Sequence, residues 1–587
     1  MKKCMAWLLA FLMILSCAAI GPRAVRAEDD APYIDIPPKY RSWDENGNTV
    51  NYEKVNTAEN GMVAALRYEP AQIGTEIMQQ GGTAIDAAVA TALALTVTMP
   101  HMCSLAGGGL MTFYSAEKDQ VIFLSFREVA PHYQTAEMWV QDSEGNVIGN
   151  HKRKGGLAAG VPGEVAGLYY ALQEYGTMDW ADVIQPAIDL ARGGFILTPE
   201  LREAILYNYA DFLNMPEVAS IYLDEDGLVP DVGTIIYNRP LAKALELLQE
   251  GGRDVFYQGA LGEAVVKAAQ ATGGVMTMAD LAEYDCWEDT PAKGTYRDYT
   301  VYSSASPSSG GTFIIEILNI LENLPVQEHS TVEYYHQLNE VLALAFADRA
   351  EYMADTRFVK VPLEGLQSKE YAAELAKKVD MTKAQTFEAG NPADYEKESQ
   401  NTTNFVVADK AGNMVALTHT INGFWGSLDY VNGYGFFLNN QLDDFVVGNG
   451  YSNSLEPGKA PLSSMSPTIV FDPEGKPFMT LGAPGGFMIY PSVAQVIVNV
   501  IDYGMDIDTA LNTGRIAARG NTIFYSPEEI GEDILNGLKA LGHNDFATYN
   551  AVGFPTAIQY LPDGKLQGSA EDHSSIARFS DGVAIGY

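Results

Sequence analysis

Two adjacent threonines, Thr402 and Thr403, open a β-rich stretch, "TTNFVVADKAGNMVALTHT". A threonine hydroxyl is a poor nucleophile until a base takes its proton, and no histidine stands beside this pair. A break between Asn401 and Thr402 would supply the base. The freed α-amine of Thr402, with an ordinary pKa of about 7.7–8.0, suits proton transfer at neutral pH. A threonine paired with its own chain terminus is a variant of triad chemistry. The charged, aromatic-poor run ahead of it, "EAGNPADYEKESQN", reads as a loop in which such a cut fits. The same stretch also reads as a surface loop entering an ordinary hairpin.

The elements around it have to hold that hydroxyl. "FVVAD-KAGN-MVALTHTIN" alternates around a turn and predicts a hairpin. "GGGLMTFYSAEKDQVIFLSFREVAP" predicts a second one. "GGTAIDAAVATALALTVTMP" predicts a buried helix, capped by Thr83 and stopped near Pro100. Residues 155–285 carry apolar residues every three to four positions and read mostly helical. "TYRDYTVYSSASPSSGG" returns to strand and loop, then "TFIIEILNILENL" and "STVEYYHQLNEVLALAFADRAEYMAD" read as helices. "YGFFLNN", "SPTIVFDP", "PFMTLGAP" and "TAIQYLPDGKLQGSAED" predict further strands. There is no internal repeat. Helices dominate early and strands late, with strands at both ends, which fits one layered α+β sandwich as well as separate domains.

The chain has 587 residues and 47% apolar content, enough for one large layered domain or several smaller ones. Lys2 and Lys3 precede an apolar run, and Val25 and Ala27 suit signal-peptidase cleavage before Glu28. Residues 1–27 therefore read as a signal peptide and the protein as secreted, extracellular or periplasmic. A retained anchor, or a lipid on Cys17 in the poor lipobox "ILSC", is the other reading. Removing 1–27 deletes four basic residues and no acidic ones, taking the formal charge from −38 to −42. Such acidity argues against nucleic acid and anionic membranes as partners. Beyond the leader, no segment has the length and apolarity of a membrane span; Ile85–Met99 is short and carries Asp86. Cys103 and Cys286 make no disulfide framework, and the eight histidines include no HExxH or HxH, so no metal site is expected.

At this point the chain resembles the γ-glutamyltransferase (glutathione hydrolase) family of N-terminal-nucleophile hydrolases. The resemblance runs over nearly the whole mature chain, in "GGTAIDAAVATALALTVTMPH", "GGGLMTFY", "FREVAP", "GVPGEVAG", "PSSGGTFIIEILNILE", "AFADRAEYMAD", "TTNFVVADKAGNMVALTHTINGFWGS", "FLNNQLDDF", "PLSSMSPTIVF" and "LGAPGG". It implies a four-layer αββα sandwich. It also implies a precursor that cuts itself into a large subunit, 28–401, and a small subunit, 402–587, which stay together as a heterodimer. Thr402 would be processing residue and nucleophile, Thr403 a scaffold residue, and Thr420 the hydroxyl that bonds the nucleophile. Arg127, Ser463 and Ser464 would hold the α-carboxylate of a γ-glutamyl substrate. Asn422, Gln441 and Asp444 would hold its ammonium, with Asp444 as countercharge. Gly485 and Gly486 would present N–H groups to the oxyanion. The triple glycine at 107–109, with no P-loop lysine after it, reads as structural. The implied reaction passes through a γ-glutamyl ester on Thr402 to water, an amino acid or a short peptide, with no metal or organic cofactor.

Three positions depart from the family pattern. Asn404 stands where a histidine is usual, two residues after the nucleophile. Trp425 is expected near the pocket as a bulky ring. The link from Asp444 to Ser463 is short, which predicts an open site for larger substrates such as poly-γ-glutamate fragments. Two alternatives remain: an amidase for another acyl group (a β-lactam acylase or a poly-γ-glutamate depolymerase) and an uncut binding protein with a dead site. Acylases would be expected to lose the ammonium-binding groups, and Asp444 is present. The retained Thr402, Thr420 and "APGG" argue against the dead site.

Overall fold

A computed structural model describes residues 33–387, 402–571 and 581–587. The leader and the run 388–401, which includes Asn401, lie outside the described residues. The predicted hairpin at Thr402 is formed by Thr403–Asp409 and Met414–Thr420. Every residue of both strands is buried, which exceeds the half-buried pattern that alternation implies. The reason is a layer on each face. Phe405, Val407, Val415 and Leu417 enter a core shared with helices. Val406, Ala408 and Ala416 enter a second core between two sheets, with Met62, Ile558 and Leu566.

The first sheet has seven strands in the order Val583–Gly586, Gly61–Ala65, Thr403–Asp409, Met414–Thr420, Gly108–Ser115, Gln120–Phe126 and Trp287–Asp289, all antiparallel. The second also has seven: Asn56–Ala58, Leu566–Ala570, Thr556–Tyr560, Pro477–Gly482, Thr468–Phe471, Tyr299–Ser303 and Ala292–Tyr296. Helices cover both outer faces. Ala84–Thr98, Glu164–Tyr175 and Trp180–Gly193 lie on the first sheet's core; Gly310–Glu322, Val332–Tyr352 and Ile489–Ile501 lie on the second's. The α+β class and the helix–sheet–sheet–helix order are those expected from the sequence.

The Ala84–Thr98 helix is buried at all fifteen positions, so it has no polar face. Its start is fixed by a capping box between Thr83 and Asp86. Asp86 also accepts from the backbone N–H groups of Thr177 and Met178, at 2.8 and 2.9 Å. A buried carboxylate with this many donors is satisfied without a counter-ion. No helix of the described residues is long and apolar enough to cross a membrane.

Candidate functional site

Strand register collects the sequence-selected residues at one end of the first sheet. Thr403 pairs with His419, so one step further Thr402 stands opposite Thr420. Thr420 pairs in turn with Gly108. Gly109 pairs with Phe126, which places Arg127 opposite Gly108 on the next strand. Thr402, Thr420, Gly108 and Arg127 thus form a row across four strands, spanning about 14 Å at ~4.8 Å per strand.

The glycines explain how the row closes. A Cβ on Gly107 would sit 2.5 Å from the Thr420 carbonyl oxygen, and one on Gly108 would sit 2.5 Å from Glu128 Oε2. One on Gly109 would meet the Phe126 ring at 2.6 Å. The triple glycine is therefore a packing requirement of this sheet end. Gly107→Ala is expected to push the Thr420 backbone out of register and sharply slow chain cleavage, a change read from intact masses during maturation. Wild-type processing in that variant would show the contact to be soft.

Thr402 is 6% exposed and lines a cavity of about 330 Å³ whose wall includes Leu66, Met102, Phe424, Gly485 and Phe554. Gly485 has φ +135° and Gly486 φ +58°, backbone states that favour glycine. They form the turn between the Pro477–Gly482 strand and the Ile489–Ile501 helix. Among the described residues, no backbone carbonyl takes the N–H of either glycine. Thr420 Oγ1 accepts from the Asn422 N–H at 2.8 Å. Asn422, at φ +72°, donates from Nδ2 to the Asn440 carbonyl at 3.0 Å.

The charged residues meet in a second group. Arg127, 1% exposed, donates from Nη2 to Asp444 Oδ2 at 2.7 Å. Its Nε and Nη2 also reach the carbonyls of Pro461 and Leu462, at 3.3 and 3.2 Å. Gln441 Nε2 donates to the same Asp444 oxygen at 2.7 Å. Gln441 Oε1 is buried with no partner among the described residues. Ser464 Oγ accepts from Arg349 Nη2 at 2.9 Å, whereas Ser463 Oγ accepts from the Met465 N–H at 3.1 Å. Asp444 also borders a small cavity of about 40 Å³ with Lys152, Arg349 and Asn453. That cavity and the Thr402 cavity share no lining residue.

Two residues matter that the sequence did not single out. Arg349, in "AFADRAEYMAD", reaches Ser464 and donates from Nε to Ser309 Oγ at 2.8 Å. Its only sequence signal is a basic residue on a helix that is otherwise almost wholly buried at its centre. Glu128 is buried next to Arg127, with Oε2 3.9 Å from Arg127 Nη1, and among the described residues neither of its oxygens has a hydrogen-bond partner. Burial pushes its carboxyl up to about 8, against the pull of Arg127. At neutral pH Glu128 is therefore mostly uncharged, and Asp444 is the anion that neutralises Arg127. Glu128→Gln, which keeps the shape and the neutral state, is expected to leave kcat/KM within about threefold; a loss beyond tenfold would mean that Glu128 acts as an anion.

The structure places all three departures, and two of them differ from expectation. Asn404 is fully buried between the sheets. Its amide sits 2.7 Å from both Thr418 Oγ1 and Thr556 Oγ1, oriented so that the oxygen accepts from Thr556 and the nitrogen donates to Thr418. Asn404 thus fastens the hairpin to the Thr556–Tyr560 strand, and it packs so tightly on Gly482 that a Cβ there would strike it. Trp425 does not reshape the Thr402 cavity. Its ring is buried against Phe212, Tyr222 and Phe437, with Nε1 donating to the Ala204 carbonyl at 2.9 Å. Its neighbour Phe424 lines the cavity instead. A left-handed backbone at Trp425, φ +60°, aims the indole into the helical core. The short 445–462 link does not leave the ion pair open either. It folds back, Asn453 Nδ2 donates to the Asp444 carbonyl at 2.7 Å, and the Asp444 side chain is only 11% exposed.

The chain is similar to known proteins over most of its length. A family model for gamma-glutamyltranspeptidase matches residues 70–578. The glutathione hydrolase proenzyme of Escherichia coli strain K12 is 38% identical over 539 residues, covering 88% of this chain and 91% of that protein. The glutathione hydrolase proenzyme of Bacillus subtilis strain 168 is 35% identical, covering 86% of this chain and 87% of that protein. Among solved structures, the cephalosporin acylase from Bacillus halodurans superposes with a TM-score of 0.81 at 28% identity, covering 92% of this chain and 98% of that chain. The Helicobacter pylori gamma-glutamyltranspeptidase gives a TM-score of 0.52 at 34% identity, covering 56% of this chain and 93% of that chain. With the family model spanning most of the sequence and the register gathering its threonine, arginine and glycine motifs at one sheet end, this chain belongs to the gamma-glutamyltranspeptidase family.

Proposed function

We propose that the chain is a self-processing γ-glutamyl hydrolase and transferase acting on glutathione and related γ-glutamyl amides, with Thr402 as nucleophile. Processing begins when Thr402 Oγ attacks the Asn401 carbonyl carbon. The Asn401–Thr402 C–N bond breaks, leaving an ester and a free α-amine on Thr402. Water hydrolyses the ester, releasing the Asn401 carboxylate and restoring the hydroxyl. The products are the large subunit 28–401 and the small subunit 402–587, held together by sheets that contain strands from both.

In turnover the α-amine takes the hydroxyl proton as Oγ attacks the γ-carbonyl carbon. The N–H groups of Gly485 and Gly486 stabilise the oxyanion. The leaving amine receives the proton and departs, and the γ-glutamyl ester remains. Water or the amine of an amino acid or peptide then attacks the ester and regenerates Thr402.

One observation carries the substrate reading: the buried Arg127 pairs with the partly buried Asp444 beside Gln441 Oε1, which has no partner among the described residues. An α-amino acid group brings one anion and one cation. Its carboxylate replaces Asp444 on Arg127, with Ser463 and Ser464 as further donors; its ammonium takes Asp444, Gln441 and Asn422. Charge stays balanced through the exchange. An acyl group whose carboxylate takes Arg127 but which lacks the ammonium would leave the partly buried Asp444 without a countercharge, with Gln441 Nε2 as its donor, which is unfavourable. This argues against the acylase alternative. The apolar walls at Thr402 suit the leaving-group side.

The test is the subunit mass spectrum of the purified protein together with hydrolysis of a γ-glutamyl anilide, with and without a dipeptide acceptor. Two subunits split at Asn401 and acceptor-stimulated release support the reading. An uncut, inactive chain would overturn it, and faster turnover of a glutaryl anilide than of the γ-glutamyl one would select the acylase instead.

A further inference from the structure

We propose a structural site for a divalent transition metal, Zn²⁺ in preference, formed by His336, Glu340 and His543 at the seam between the Val332–Tyr352 helix and the turn after Glu532–Ala540. The site is about 20 Å along that helix from Arg349, counting 1.5 Å per residue, and takes no part in the chemistry above.

His336 and Glu340 are one helical turn apart, so both side chains leave the same face. His543 comes from a turn 207 residues away. One ligand atom from each of the three lies within 4.8 Å of the others, and all three residues are buried. The hydrogen bonds define the proton positions. His336 Nε2 is 2.9 Å from the Asp380 carbonyl oxygen, which only accepts, so Nε2 carries the hydrogen. His336 Nδ1 therefore presents a lone pair, and His543 Nε2, 2.8 Å away, donates to it. A metal ion replaces that one shared proton; His543 moves its hydrogen to Nδ1. The bond from His336 Nε2–H to a backbone carbonyl is the outer contact that commonly orients metal-bound imidazoles.

Glu340 is the carboxylate donor of the set. It is fully buried, and among the described residues its oxygens receive only the Gln385 N–H, at 3.2 Å each. Among the described residues no lysine or arginine pairs with it. Two imidazoles and a carboxylate match the donor set that binds zinc with a fourth position open to water. The two ring nitrogens need to part by roughly 0.5 Å to accept a tetrahedral ion at ~2.0–2.1 Å from each.

The position suggests what the ion does. Asp380 and Gln385 belong to the segment that runs into the proposed cleavage loop, and Ala384 N–H donates to the Leu541 carbonyl at 2.7 Å, beside His543. In the processed protein, a consequence that rests on cleavage at Asn401, the ion would tie the end of the large subunit to the small one. Metal binding itself does not depend on that cut.

The experiment uses full-length, tag-free protein stripped with a chelator and titrated with Co²⁺ and Zn²⁺, in processed form and as uncut Thr402→Ala. One equivalent of Co²⁺ is expected to give the strong visible bands of low-coordinate cobalt, bleached by Zn²⁺. Zn²⁺ is expected to raise Tm in proportion to the logarithm of its concentration. Glu340→Gln and His543→Gln are each expected to weaken binding at least 100-fold while the weak sites on the acidic surface persist. A Co²⁺ spectrum like that of the free ion, or variants that bind as tightly as wild type, would overturn the site and leave a hydrogen-bonded histidine pair. Should a variant fail to fold, the wild-type cobalt spectrum still decides. Binding by the uncut chain with loss of the subunit link in the processed one would separate failure of the tethering role from failure of the site.

Discussion

Thr402→Ala is expected to leave a single uncut chain with no measurable γ-glutamyl turnover. The same hydroxyl performs both steps, so its removal stops maturation and catalysis together. Loss of a nucleophile in a hydrolase of this logic lowers kcat by about 10⁶-fold. The structural change should be slight, because Thr402 lies before the first strand residue and contributes no pair to the sheet ladder. Intact mass reads the cut and anilide release reads the turnover. Co-expression of residues 28–401 with a separate small subunit, 402–587, carrying Thr402→Ala at its first position separates the two steps: a pre-cut dimer that folds and stays inactive assigns the chemistry to Thr402. A Thr402→Ala chain that still splits after Asn401 would refute self-processing.

Asp444→Ala is expected to keep cleavage at Asn401 and lose most γ-glutamyl turnover. Two effects act on different quantities. The substrate ammonium loses its countercharge, which lowers kcat/KM; in the free enzyme Arg127 is left as a buried cation, which lowers stability and is partly relieved when the substrate carboxylate binds. Removing one partner of a buried pair costs about 3–5 kcal/mol; at the lower end, since Asp444 is partly exposed, the loss of the ammonium contact corresponds to roughly 10²-fold in kcat/KM at ~1.4 kcal/mol per decade. The drop should appear mainly as a raised KM, because the contact is made in the ground state and the transition state alike. A glutaryl anilide, with no ammonium, should lose much less. The ratio of the two substrates therefore reports recognition, and a melting curve reports the stability lost through Arg127. Equal losses for both substrates would mean that Asp444 only holds Arg127 in place.

These two variants differ in how visible they were beforehand. Thr402 stands out because a polar run and a strand meet at a hydroxyl, all within a few residues. The Thr83 cap, the two hairpins and the helices of 155–285 are of the same kind. Caps, turns and periodicity act over one to four residues, so short stretches of sequence encode them. The close approaches at Gly107, Gly108 and Gly109 are only half visible: the triplet shows, but its reason is the neighbouring strand.

The rest belongs to the tertiary structure. Arg127 and Asp444 are 317 residues apart, and only the return of the 445–462 link, whose Pro461 and Leu462 carbonyls also hold Arg127, makes them a pair rather than two separate contacts. Trp425 and Phe424 are adjacent, yet a left-handed backbone at Trp425 sends one ring to the core and leaves the other at the cavity. Nothing local distinguishes them. His336 and Glu340 look like two polar residues on a long helix until His543 folds against them. By itself the sequence carried the layered α+β order in its local patterns, the family through the resemblance of its motifs, and the threonine pair through the meeting of a polar run with a strand. Only the tertiary structure decided which distant charges neutralise each other and which stay unpartnered, because desolvation and partner choice depend on what burial brings within about 3 Å.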